Sequence, residues 1–512
     1  MESTEEKRPV LHIAVVGFHH QRGSEVEFSF PPVINGDDNW SRNLPEEWRH
    51  LPFMALPDGA HNYDSDTTFF HLPYLNSRPG KKKTLYGVSC YRQMDSKDLK
   101  NKCDDVTRTT VQKAVCVLSQ MPVYGYIQAK LEVATKVYFE EKDFSRVGIL
   151  KELYNSLNNS LSGDMMVESL LNVGLSIMDL VMRFRQRILV LFKLLLLEKK
   201  VIFYGFPVAK LGSQLLSLIS LIPGMLESGL VQSACMDDTP YQDNDQDPLY
   251  PSHLNPAHLN TDQYGLPLEI FTENSLFHPY LSLQQIDLLK NPKVDSFVVG
   301  VSNALYCQQR NTAHVLVELQ TTQISIRDEN LTRALTLSTA DLRFTDYLVQ
   351  HVTEYNKSGG QTVGWDGSEE WIRAQFKLYI LSLLSSIQHT DGESLANYNE
   401  EFITAWKSTR NFTEWNSKQH VGIDEVHAGH PFQGQIGLSD LKIRLSNVYQ
   451  DVAAKSMQTD QGRKIGQAVA QTGRAVGGAL NSARSFVASW LLESSPDDKL
   501  DEDEQDRDIT SS

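Results

Sequence analysis

Two adjacent histidines in GFHHQRG, His19 and His20, are the first side chains along the chain whose pairing could hold a metal ion. They close an apolar run that reads as a strand rather than sitting together on one helical face, which argues against a metal site. The five cysteines, at 90, 103, 116, 235 and 307, form no CxxC pair and none sits near a histidine at metal-ligand spacing. The acid pairs Glu369-Glu370 and Glu400-Glu401 fall at helix starts, where they complement the helix dipole. GxxxxGK[ST], GxGxxG after a strand, GxSxG and HExxH are missing from the sequence. The residues support no hydrolase, kinase or redox enzyme, and no catalytic, cofactor-binding or metal-binding residue is assigned.

The other chemistry in the chain is that of a surface. GRKIGQAVAQTGRAVGGALNSARSFVASW, residues 462–490, lies in a 32-residue interval without one acid, where the chain average of 64 in 512 would place four. At 100° per residue Ile465, Val469, Val476, Leu480, Val487 and Trp490 share one narrow helical face, with Ala483 among them. Two series with an eleven-residue period, Ile465, Val476, Val487 and Val469, Leu480, Leu491, keep that stripe straight. Arg463 and Arg474 lie opposite, Arg484 lies toward the flank, and Lys464 adds a further cation. Four internal glycines, 466, 473, 477 and 478, each weaken a helix in water by about 1 kcal/mol. An apolar surface offsets that cost, so residues 461–492 read as an amphipathic helix that orders on membrane lipids. Docking on the protein's own body and pairing with a partner helix are the alternatives. The next segment, residues 493–512, carries nine acids against Lys499 and Arg507 and reads as a disordered tail that limits attachment to an anionic bilayer.

Composition narrows the partners. The net charge is -16, and beyond that stretch no basic block suits nucleic acid. The run Lys81 to Lys83 follows Arg78-Pro79-Gly80 and reads as a solvated turn. An odd cysteine count and a polar, acidic first ten residues fit a reducing, cytoplasmic setting, with residues 1–9 flexible. In that setting the NFT at Asn411 is no glycosylation site. RILVLFKLLLLEKKVIFYG is interrupted by Lys193 and ended by Glu198, Lys199 and Lys200, so it reads as a buried helix and a strand rather than a membrane span.

Elements must now position whatever surface the protein uses, and 512 residues suggest three packed units or a little more. In residues 10–140, HIAVVGF and EVEFSF form a hairpin turned at Gly23, with Val26, Phe28 and Phe30 expected on one face. TLYGVSCY follows as a strand, and TRTTVQKAVCVLSQMP shows helix-like apolar spacing before Pro122. Residues 146–320 alternate a helix over Ile177 to Leu197, the strand KVIFYG, a helix at LGSQLLSLISLI and the strands DSFVVGV and HVLVEL. That alternation predicts an α/β sheet domain, with an acidic surface loop over 235–262. Residues 330–418 read as a helical unit with Gly359, Gly360 and Gly364 in a connection.

The upstream unit holds LPFMALPDGAH, FFHL, TLYGVSCYRQ and TVQKAVCVLSQMPVYG. The central unit holds FRQRILVLFKLLLLEKKVIFYG, YGLPLEIF, HPYLSLQQIDLL and FVVGVSNALY, and the helical unit holds FITAWKSTRNFTEWNS. In this order and spacing, over about residues 10–418, they resemble the upstream, central and downstream portions of DENN proteins, most of all the late secretory pathway Avl family. The resemblance implies an α/β fold with a longin-like N-terminal module, a central sheet domain and a helical downstream module. It implies a cytosolic binder of a Rab-type small GTPase, and many relatives are guanine-nucleotide exchange factors. Exchange breaks no covalent bond and needs only tighter binding to an open GTPase than to a closed one. The reading is of a vesicle-traffic protein at Golgi-derived or recycling endosomal membranes; the alternative is a non-catalytic membrane scaffold in traffic and cell migration. No individual residue is assigned to the GTPase contact.

Overall fold

The computed structural model describes residues 8–75, 83–101, 109–162, 170–236, 263–272, 274–309, 312–358, 365–389, 395 and 397–433. The ten residues read as membrane-binding, Arg463 to Trp490, lie outside them, as do the acidic tail and residues 237–262 of the acidic loop. Lys81, Lys82, Gly359, Gly360, Gly364 and Cys103 lie outside them too.

The fold is α/β, with one sheet near the N-terminus, a second in the middle and helices downstream. Strands β1 (Val10–His19), β2 (Gly23–Phe30), β3 (Ser65–Pro73), β4 (Thr84–Asp95) and β5 (Thr110–Ser119) form an antiparallel sheet in the order β2-β1-β5-β4-β3. Gly23 turns the first hairpin at φ 82°, a conformation that costs glycine little. The helical reading of residues around TVQKAVCVLS is overturned: β5 is the middle strand, paired to β1 and β4. Both its faces are buried, Val115 and Val117 toward the helices Tyr124–Glu140 and Gly148–Leu161, and Ala114, Cys116 and Leu118 toward Leu51–Ala55. A strand buried on two sides shows a continuous apolar run, which masks its period of two.

The single apolar face expected for β2 is also corrected. The β1 and β2 register shifts between Val15 and Val16, so Phe28 stands opposite Val15 and Val26 opposite Val16. This bulge sends Phe28 and Phe30 to one side of the sheet and Val26 to the other.

The second sheet runs β10-β9-β6-β8-β7, from β6 (Lys200–Tyr204), β7 (Ser275–His278), β8 (Ser296–Val301), β9 (Val315–Glu318) and β10 (Gln323–Ile326). Strands β6, β7, β8 and β9 are parallel and β10 is antiparallel to β9. The single helix expected before β6 is two, Ile177–Phe184 and Arg187–Leu196, separated where Arg185 takes φ 50°. Among the described residues no helix is long and apolar enough to cross a membrane.

The downstream helices Thr339–Lys357, Glu369–Gln388, Glu400–Lys407 and Arg410–Asn416 begin at Ser338, Ser368, Asn399 and Thr409, whose side chains accept from first-turn amides. One buried carboxylate ties this unit to the central one. Asp341 Oδ2 accepts from Lys193 Nζ at 2.6 Å and from the Ser338 amide at 3.0 Å. Its Oδ1 accepts from the Tyr379 hydroxyl at 2.9 Å and meets His430 Nε2 at 3.2 Å. Lys193 and Asp341 are both 0% exposed. Burial alone would push the Asp341 carboxyl up, but His430 and Lys193 outweigh it and hold the group well below the usual range.

The two sheets meet at a pair of histidines. His71 on β3 bonds the Ser233 hydroxyl at 3.0 Å and the Tyr124 hydroxyl at 2.5 Å. His278 on β7 is 3% exposed, its ring centroid 6.0 Å from that of His71. Neither nitrogen of His278 has a hydrogen-bond partner among the described residues. Burial lowers both imidazoles, His278 to about 4 and His71 well below 6.5. The folded state therefore holds them neutral while the unfolded chain protonates near pH 6.5, so their contribution is complete above pH 6.5 and drains away as the pH falls. Urea unfolding of the full chain should lose about 1.5 kcal/mol from His278 between pH 6.5 and 5, with His71 adding a loss of the same sign. His278→Leu should flatten part of that slope; a profile flat over this range in the native protein contradicts the account.

Candidate interaction surface

In an open parallel sheet the loops beyond the strands' C-terminal ends are where ligands settle. Here those loops follow β6 at Gly205, β8 at Ser302 and β9 at Leu319. Gly205 is required because a Cβ there would come within 2.9 Å of the Leu319 side chain. The next residue, Phe206, is held out at 46% exposure, its ring against Tyr204 at 6.3 Å between centroids and its carbonyl accepting from Gln320 Nε2 at 2.5 Å. Leu305, beyond the adjacent strand β8, is 47% exposed and opens the helix Leu305–Gln308. That helix is fixed by Tyr306, whose hydroxyl donates to the Ser282 carbonyl at 2.8 Å.

The usual anion-binding feature of this position is occupied. The helix Val208–Ile219 starts here, but its Val208 and Ala209 amides donate to the Asp66 carboxylate of the upstream unit at 2.9 and 3.0 Å. Burial raises the Asp66 carboxyl, partly opposed by these amides. A phosphate at these amides would have to displace that carboxylate. Asp58, also upstream, clamps the neighbouring loops: its Oδ2 accepts from the Leu283 amide at 3.0 Å, and its carbonyl accepts from the Ser302 hydroxyl at 3.0 Å. Burial raises this carboxyl as well. Two aspartates of the upstream unit thus hold the loops that carry Phe206 and Leu305, and both of those apolar side chains stay half exposed. Half-exposed Phe and Leu on fixed loops suit contact with a protein surface better than recognition of a small polar ligand.

The other candidate residues take structural places. His19 and His20 stack at 4.7 Å, and His19 Nδ1 accepts from the Gln21 and Arg22 amides, so it caps the first turn. Glu369 starts its own helix, and it also caps another, accepting from the Ile177 and Met178 amides at 2.7 and 3.3 Å. Asn411 is buried and donates to the Leu196 carbonyl at 2.8 Å, where no glycan fits. Cys90, Cys116, Cys235 and Cys307 are free thiols. Phe206 and Leu305 carry no distinguishing local signal in the sequence. Phe206 is an aromatic residue between Gly205 and Pro207, just past a strand, and a strand-end Phe looks the same whether it turns inward or outward.

A family model described as transport protein Avl9 matches residues 10–387 of the chain. The chain is 32% identical over 434 residues to the late secretory pathway protein avl9 of Schizosaccharomyces pombe, a match covering 80% of this chain and 87% of that protein. It is 30% identical over 504 residues to the late secretory pathway protein AVL9 of Saccharomyces cerevisiae, covering 90% of this chain and 65% of the length of that relative. The matched family span takes in both sheets, the surface around Phe206 and Leu305, and four members of the buried network, Lys193, Ser338, Asp341 and Tyr379. The chain belongs to the Avl9 family of transport proteins, the DENN-like family that its motifs resemble.

Proposed function

We propose that this protein acts in late secretory transport by docking a Rab-type small GTPase on the edge built by Phe206 and Leu305. The carrying observation is that exposed pair, at 46% and 47%, on loops fixed by Asp66 and Asp58. A rigid apolar edge that holds a GTPase in its open form accelerates nucleotide release without covalent chemistry. Family membership and the ordered DENN motifs support a GTPase as the partner. Residues 461–492 supply peripheral attachment to Golgi-derived or recycling endosomal membranes, on the strength of their acid-free, striped sequence.

With the full chain and a panel of GDP-loaded Rab-type GTPases, at least one member binds and releases nucleotide faster. Phe206→Ser with Leu305→Ser weakens that binding by about tenfold, since central apolar anchors carry such energies. Both side chains are half exposed, so the unfolding midpoint stays close to that of the parent. Binding without release assigns an adaptor, whereas no binding across the panel, or unchanged binding by the double variant, overturns the reading.

Membrane attachment is tested by co-sedimentation with liposomes. The full chain pellets with small, curved or anionic vesicles and weakly with large neutral ones, while a chain ending at Asp460 stays in solution. Equal pelleting of both chains contradicts the assignment of residues 461–492.

A further inference from the structure

Residues 421–433 lie along the helix Glu369–Gln388 from its end back toward its start. Asp424 Oδ1 accepts from Gln388 Nε2 at 3.0 Å, the Val426 carbonyl from the Ser385 hydroxyl at 2.7 Å, and the Gly429 amide donates to the Ser386 hydroxyl at 2.7 Å. Gly429, at φ 97°, then turns the chain so that His430 enters the core at 0% exposure. Phe432 ends the contact against Phe344 and Tyr347, with ring centroids 5.7 and 5.2 Å away.

The hydrogen bonds fix the form of the imidazole. His430 Nδ1 accepts from the Phe432 amide at 3.0 Å, so that nitrogen carries no proton. Nε2 carries it and donates to Asp341 Oδ1 at 3.2 Å. One neutral ring thus accepts from its own segment and donates to the body. A second proton would set the Nδ1–H against the Phe432 N–H and leave that amide unpaired. It would also set a second cation against Lys193 Nζ, which the same carboxylate already holds at 2.6 Å.

We infer that residues 426–433, downstream of the buried Ile423, form a releasable strap, held on the body by the neutral form of His430 and freed when that imidazole gains a proton. The groups that face the ring come from four elements. Asp341 on Thr339–Lys357 favours the proton, and Lys193 on Arg187–Leu196 opposes it across the same carboxylate. Tyr379 and Tyr398 contribute uncharged rings at 5.3 and 4.8 Å between centroids. Burial outweighs the Asp341 contacts and lowers the imidazole from its ordinary value, which keeps it neutral at neutral pH. Release carries away two of the strap's side chains, His430 and Phe432, and admits water to the Lys193 and Asp341 pair. The strap therefore reports directly on the joint between the central and helical units.

Hydrogen exchange of the full chain, corrected for the intrinsic rate at each pH, tests this. Between pH 7.5 and 5.5, peptides covering 426–433 in the native protein gain exchange by about tenfold or more, while peptides from β5 gain much less. His430→Gln offers a donor and an acceptor but does not titrate, so it stays protected at pH 7.5 and loses the pH response. Equal gains by the strap and β5, a strap protected at both pH values, or the same response in His430→Gln each overturn the inference. Should His430→Gln fail to fold, the comparison of strap with β5 in the native protein decides alone.

Discussion

The carboxylate of Asp341 is the constraint on which the joint between the central and downstream units depends. A buried carboxylate has about four lone-pair sites, and here all four are met: by Lys193, the Ser338 amide, Tyr379 and His430. Those partners come from a central-unit helix, a helix cap, a second downstream helix and the segment that follows the last one. Removing Lys193 alone would strand a buried charge, a loss of about 3–5 kcal/mol, whereas a matched apolar replacement of the whole group is nearly neutral. The network is therefore better understood as fixing which surfaces meet than as a store of stability.

The same device recurs at lower burial. Asp66 caps Val208–Ile219, Glu369 caps Ile177–Phe184, and Glu198 accepts from the Arg410 and Asn411 amides at the start of Arg410–Asn416. Each is a carboxylate from one element satisfying orphan amides of another, so charge complementarity sets register between helices. Helix starts that could otherwise receive a phosphate are committed to internal partners. At the parallel sheet's C-terminal edge Phe206 and Leu305 remain half exposed, and the proposed docking of a protein partner rests on that exposure.

Local patterns carried much of this into the sequence. The first hairpin, the strands VIFY, SFVVGV and VLVE, and the helical character of residues 330–418 are legible in local periodicity and in Gly23. The misreadings have a common cause in tertiary context. The strand β5 is sandwiched on both faces, and a bulge opposite Val15 and Val16 reverses the side taken by Val26. The break at Arg185 has no glycine or proline to signal it. The candidate surface was not legible, because nothing local distinguishes an outward Phe206 from the buried Phe203 three residues earlier. Lys193 read as an interruption in a hydrophobic run, and the partner that justifies its burial lies 148 residues away.

The most direct test of the account is a hydrogen-exchange footprint of the full chain with and without a nucleotide-free Rab-type GTPase that binds it. The account predicts new protection in peptides covering 204–209 and 302–309, with the edge strand β2 unchanged. Protection confined to β2 or to the downstream helices, with 204–209 and 302–309 unaltered, would contradict it.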